Sequence, residues 1–150
     1  MKKFRFPLET LKMQRRILQD LSQKDYQEGL GRLKSEQSRK EKMRTDVLES
    51  LRRTFEDQHE KQGSPLRLQL GSEFVHLQDL RMKNQDAVIA QTQAEVETLQ
   101  EILRRRAIDH KIIERLKEKQ KEEHRKEVEK IRQKNIDDIN TMRFRRKGSG

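Results

Sequence analysis

A chain of 150 residues in which 41% of side chains are charged and only 30% hydrophobic, with five Phe, one Tyr and no Trp, cannot fill a compact three-dimensional core. Its formal net charge of +10 calls for acidic partners (nucleic acid, an anionic membrane or an acidic protein surface), and the lack of cysteine removes disulfide frameworks and thiolate metal sites. Two readings survive: intrinsic disorder, or a narrow apolar seam between long helices. The abundance of Gln, Glu, Lys, Arg and Leu and the recurrent Leu/Ile/Val spacing favour the helices.

In chain order, the opening Met1 to Pro7 has no apolar run behind it and is expected not to be a signal peptide. No stretch approaches the roughly 18 apolar residues of a membrane span. A soluble cytoplasmic protein is the expectation.

The first helix is expected over about 8–61, with Pro7 suiting an N1 position. Its apolar residues fall at Leu8, Leu11, Leu18 and Leu21, then Tyr26, Leu30 and Leu33, then Val47, Leu51 and Phe55. Steps of three and four are heptad spacing. Ser35 to Lys42 holds no apolar residue and must pair weakly, or through alkyl stems. Gly29 and Gly31 each cost a helix interior roughly 1 kcal/mol relative to Ala. They mark a flexible point, a close approach of another backbone, or tolerated weakness.

Gln62 to Gly71 is the only internal gathering of Gly, Ser and Pro. Pro65 disfavours helix in the residue before it, Gly63 suits a left-handed C-cap, and Gly71-Ser72-Glu73 reads as a fresh helix start with Ser72 as N-cap. The expected hinge is therefore about 62–71. A second helix follows over about 72–143, with a short basic tail at 144–150. Its apolar residues include Phe74, Leu77, Leu80, Val88, Val96, Leu99, Ile113 and Leu116. Eleven residues without an apolar side chain follow, Lys117 to Glu127, before the stripe Val128, Ile131, Ile136, Ile139 and Met142.

The fold class is then all-α: a long antiparallel two-helix coiled-coil hairpin forming one domain over 1–150. The helices would be about 80 Å and about 108 Å long at 1.5 Å per residue. Folding at that hinge pairs positions whose numbers total about 134, so that Leu51 faces the region of Lys83 and Leu21 that of Ile113. Residues beyond about Val128 have no opposite strand, and an apolar stripe without an internal partner asks for an external one.

Catalytic chemistry has no foothold in this pattern. His59, His76, His110 and His124 are neither spaced nor clustered as metal ligands, and no phosphate-binding loop is present. The acidic residues are dispersed along exposed faces, and two helices enclose no pocket. The chain reads as non-enzymatic, without cofactor or metal. Specific nucleic-acid binding is not expected, because the aromatics are scattered and the 26 acidic residues interleave with the basic ones. No stretch offers a broad enough apolar face for an amphipathic membrane helix.

Two stretches carry a family resemblance. Phe4-Arg5-Phe6-Pro7-Leu8-Glu9-Thr10-Leu11 fits the F-x-F-x-L-x-x-L opening of the FliJ family of flagellar type III export proteins. Ile113-Glu114-Arg115-Leu116-Lys117-Glu118-Lys119-Gln120, followed by Gln133-Lys134-Asn135-Ile136-Asp137-Asp138, is similar to that family's L-x-x-L-K-E-K and Q-K-x-L-D-E signature. Ile136 and Asp138 replace the familiar Leu and Glu. The resemblance spans essentially the whole chain.

It implies a coiled coil like the two-helix stalk of the rotary ATP synthase gamma subunit. It also implies association with a hexameric FliI-like export ATPase, contact with the cytoplasmic part of a FlhA-like export gate, and engagement of export chaperones. The protein would be cytoplasmic and peripheral at the inner face of the membrane, serving flagellum biogenesis and hence motility and chemotaxis. The implied gate contact falls on Phe74, Leu77, Gln78 and Gln85, Gln78 standing where a Leu is more usual. Position and charge nominate Arg15, Arg16, Lys117, Lys119, Arg132 and Lys134, with Ile131 and Ile139, as the ATPase-facing set. The alternatives are a stalk of a virulence-type secretion system and a stand-alone coiled-coil tether or chaperone.

Overall fold

The computed structural model describes residues 3–59 and 64–148. Within them the chain forms two helices, α1 (Glu9–His59) and α2 (Pro65–Lys147), and no strand. The composition drives this directly, since Leu, Gln, Glu, Lys and Arg are all strong helix formers. Pairs one turn apart add support along the surface, such as Arg52 with Glu56 at 2.6 Å and Lys83 with Asp79 at 2.8 Å.

The joint is shorter than its Gly-Ser-Pro content suggests. Ser64 caps α2: its hydroxyl accepts the Leu66 N–H at 3.3 Å and its carbonyl accepts the Arg67 N–H at 3.0 Å. Pro65 then takes the first helical position, where its fixed φ is an asset and its missing N–H costs nothing. The expected start at Ser72 is thus corrected by seven residues. Gly71 is no breaker; it lies inside α2, against Thr54. Gln62 and the proposed C-cap Gly63 lie outside the described residues.

At the other ends, α1 opens with the Leu8 carbonyl accepting the Lys12 N–H at 3.0 Å, so Pro7 precedes the helix instead of occupying N1. The expected basic tail is helical through Lys147, and the Gly148 N–H closes on the Phe144 carbonyl at 3.2 Å. Ser149 and Gly150 lie outside the described residues.

Two compact units divide the chain: a hinge unit, Leu21–Arg104, and a terminal unit, Met1–Asp20 with Arg105–Gly150. In each, a stretch of α1 packs antiparallel on a stretch of α2. In the hinge unit, residues withdrawn from solvent include the runs 22, 26, 29, 33, 36, 40, 43, 47, 50, 54, 57 on α1 and 68, 71, 75, 78, 82, 85, 89, 92, 96, 99 on α2, with 46, 79, 101 and 103 flanking them. Alternating steps of three and four are the heptad pattern of a coiled coil. Contacting positions total about 125, as in Gly29 with Val96, Thr54 with Gly71, and Lys40 with Asp86. The terminal unit keeps the same total, with Arg15 on Asp109 and Glu9 on Lys117.

The expected total of 134 is therefore about nine too high, chiefly because α2 starts seven residues earlier than expected. Leu51 shares a groove with Gly71, Ser72 and Val75 instead of meeting Lys83. Ile113 is buried within the terminal unit, one residue from Glu114, which lies 3.9 Å from Lys12. The seam is also not the one drawn from apolar residues alone. Leu21, Leu30, Leu51 and Phe55 are exposed, while Ser22, Gly29, Ser50 and Thr54 line the contact.

Gly29 is a close approach: a Cβ there would stand 2.9 Å from Leu99 Cδ1 and 3.4 Å from Val96 Cγ2. Gly31 has open space around it. The two glycines, alike in sequence, have unlike jobs.

Candidate interaction surfaces

In the terminal unit, residues 3–8 run non-helically along α2. Phe4 and Phe6 both reach α2. Phe6 is buried, with Lys117 Nζ 5.9 Å from its ring centre, and Phe4 lies 5.7 Å from the His124 ring. Lys117 also donates to Glu9 at 2.6 Å, holding the Glu9 carboxyl below its ordinary range. Arg15 donates to the Asp109 carbonyl at 2.9 Å. Two of the nominated ATPase-facing cations, Arg15 and Lys117, are thus engaged within the unit. Arg16 is exposed, and Lys119 is exposed 4.0 Å from Glu123.

Coverage of α2 by the N-terminal segment stops at Val128, which lines one groove with Lys3 and Phe4. Residues 131–148 are all exposed, including Ile131, Arg132, Lys134, Ile136, Ile139 and Met142. Ile131, Arg132 and Ile139 fall on one side of the helix. The whole nominated set lies in the terminal unit, but only its α2 end forms an uncovered apolar and basic face.

In the hinge unit the nominated gate residues separate. Phe74 and Leu77 are 37% and 54% exposed, whereas Gln78 and Gln85 are buried in the seam at 7% and 6%. The Gln85 amide donates to the Glu36 carbonyl at 3.0 Å and to its carboxylate at 2.5 Å, tying α2 to α1. Gln78 Oε1 is buried and has no hydrogen-bond partner. Gln78 and Gln85 can meet a partner only where the helices part. Apolar spacing does not reveal these roles, because both positions are polar. A strict seven-residue separation between them was the available signal.

Among the described residues there is no cluster of His, Cys, Asp or Glu able to hold a metal ion. No helix among them is long and apolar enough to cross a membrane. What the fold offers is two helices, an interhelical seam and uncovered side-chain faces.

Such a molecule is an all-α antiparallel coiled-coil hairpin. Residues 8–149 match the model of the family described as flagellar FliJ protein, and the chain belongs to that family of flagellar, export-related proteins. No curated protein and no solved structure was found to match it.

Proposed function

We propose that this protein is a non-enzymatic stalk of the flagellar type III export apparatus. It binds the hexameric FliI-like export ATPase and promotes its assembly and activity. It links that ring to the cytoplasmic part of a FlhA-like export gate, and it engages export chaperones. Its place is the cytoplasm, peripheral at the inner face of the membrane.

The observation that supports this best is the α2 end beyond Val128. It is helical, wholly exposed, apolar along Ile131, Ile139 and Met142, and basic at Arg132, Lys134, Arg143 and Arg145 to Lys147. Apolar area left open on a small protein marks an interaction site, and its positive surround favours an acidic, partly apolar receptor. The gate contact is proposed on the exposed pair Phe74 and Leu77, with Gln78 and Gln85 supporting from the seam.

The test is ATP hydrolysis by the cognate export ATPase, with and without this protein. Stimulation coupled to hexamer formation is expected, and is expected to fall at least tenfold in apparent affinity on neutralising Arg16, Arg132 and Lys134, about 1.4 kcal/mol. The conclusion fails if an active, assembly-competent ATPase neither binds the protein nor responds to it. Phe74→Ala with Leu77→Ala is expected to weaken gate binding while leaving ATPase stimulation intact.

A further inference from the structure

Near the turn, the hinge unit is inside out. Its three seam layers there pair Val47 with Gln78, Ser50 with Val75 and Thr54 with Gly71, following the constant register of the unit. Each layer holds at least one small or polar side chain, Val47 and Val75 being the only branched apolar ones, and Gln78 Oε1 has no partner. The large apolar side chains stand next door: Leu51 is 48% exposed, Phe55 61%, Leu70 55%.

Their positions are not random. On α1 each apolar residue lies one position after a seam residue: Leu48 after Val47, Leu51 after Ser50, Phe55 after Thr54. On α2 each lies one position before: Leu77 before Gln78, Phe74 before Val75, Leu70 before Gly71. One step forward on one arm and one step back on the other leave the pairing total unchanged. Leu48 with Leu77, Leu51 with Phe74 and Phe55 with Leu70 are therefore three ready-made layers at the same axial level. They are reached without sliding, by rolling each helix about 100° on its own axis. Because the helices run antiparallel, opposite steps along the chain mean the same sense of rotation for both.

We propose that the turn-proximal end of the hinge unit is a two-seam switch, exchanging a polar seam for an apolar one by this concerted roll. In the polar state Phe74 and Leu77 face outward. In the apolar state they turn inward, and Gln78 turns out, where water satisfies its carbonyl. The switch is local, so each helix must take up the roll of about 100°, one residue's worth of twist, as a change of winding at the boundary with the fixed part of the unit. The same one-step shift deeper in the unit would bring Arg44 opposite Arg81, which no seam accommodates, and there Gln85 holds Glu36. The boundary layer is Met43 with Met82, side chains that repack readily, next to the Ser35–Lys42 stretch without an apolar residue. The roll does not depend on the proposed function, but it decides when the proposed gate face is presented.

The chain has no cysteine, so disulfide trapping in the full-length protein tests this cleanly. Three double variants are compared under mild oxidation: Val47→Cys/Gln78→Cys for the polar seam, Leu48→Cys/Leu77→Cys for the apolar seam, and Glu49→Cys/His76→Cys as an outward-facing control. Both seam pairs are expected to close at least about tenfold faster than the control, since a state of even a few per cent population is trapped by its own bond. Adding Phe55→Glu is expected to slow the Leu48/Leu77 closure about tenfold and spare Val47/Gln78. The proposal is overturned if Leu48/Leu77 closes no faster than the control, if only Leu48/Leu77 closes, or if Phe55→Glu leaves its rate unchanged.

Discussion

Alanine at Gly29 and at Gly31 should have opposite worth, although the two positions share one turn of α1. At Gly31 a new Cβ meets nothing within 4 Å, so Gly31→Ala keeps the full propensity gain of about 1 kcal/mol. That corresponds to a rise in Tm of roughly 2–4 °C for a chain of this size. At Gly29 the same Cβ would approach Leu99 Cδ1 at 2.9 Å and Val96 Cγ2 at 3.4 Å. Leu99 must rotate or the helices must separate slightly, and overpacking of this kind costs about 1 kcal/mol at the mild end of its range. Gain and cost cancel, so Gly29→Ala should be neutral, and Gly29→Leu should be destabilising by about 2 kcal/mol. Thermal unfolding followed by circular dichroism at 222 nm reads all three. Equal stabilisation by both alanines would mean that the helices do not approach at Gly29, and the register built on that contact would fall with it.

Gln78→Leu should stabilise the protein by about 1 kcal/mol, because it removes a buried carbonyl without a partner, whereas Gln85→Leu should not, because it gives up two bonds to Glu36. Denaturant titration of the two variants decides this, and identical shifts would argue against the seam positions assigned to them. Phe6→Ala should cost about 2 kcal/mol and raise amide exchange near Lys117, while Phe144→Ala, on a fully uncovered face, should change stability by less than about 0.5 kcal/mol. Glu9, held below the ordinary value of 4.5 by its bond to Lys117, lends stability that is present above about pH 4.5 and lost as pH falls through the lowered value. The Tm advantage of the native chain over Glu9→Gln should accordingly be full at neutral pH and disappear as pH falls through the lowered Glu9 value; an advantage that grows on acidification would contradict the assigned pair.

The helices, their antiparallel return and the bare end of α2 were legible in the sequence because they depend on quantities that sum over many residues: propensity, apolar fraction and arm length. The seam was legible only in part: Leu33, Val47, Val96 and Leu99 lie in it as their spacing implies, but Ser22, Gly29, Ser50, Thr54 and Gln85, which periodicity of Leu and Ile passes over, complete it. Small and polar side chains let two helices come close, and only geometry shows which ones do so. The hinge was misplaced because Pro65 has two meanings. Before it a helix must stop, but with Ser64 as cap it also starts the next one, and Gly71, which by composition resembles a break, lies inside α2 and makes room for Thr54. For the candidate surfaces, the uncovered Ile131 to Met142 face followed from counting residues. The burial of Gln78 and Gln85 and the internal engagement of Arg15 and Lys117 did not, because side-chain partners in the opposite arm depend on a register that a nine-residue error in the pairing total had shifted.

That register has a consequence for how such a chain can lengthen or shorten. Positions that touch in either unit are mirror images about a point near residue 62, so a residue gained in one arm moves everything on its outer side away from its mate. A compensating gain at the mirrored place in the other arm restores the match, and one of seven residues in both arms also restores the facing sides. Insertions and deletions tolerated by this protein should therefore come in pairs, equal in length and reflected across the turn, so that its length drifts two arms at a time.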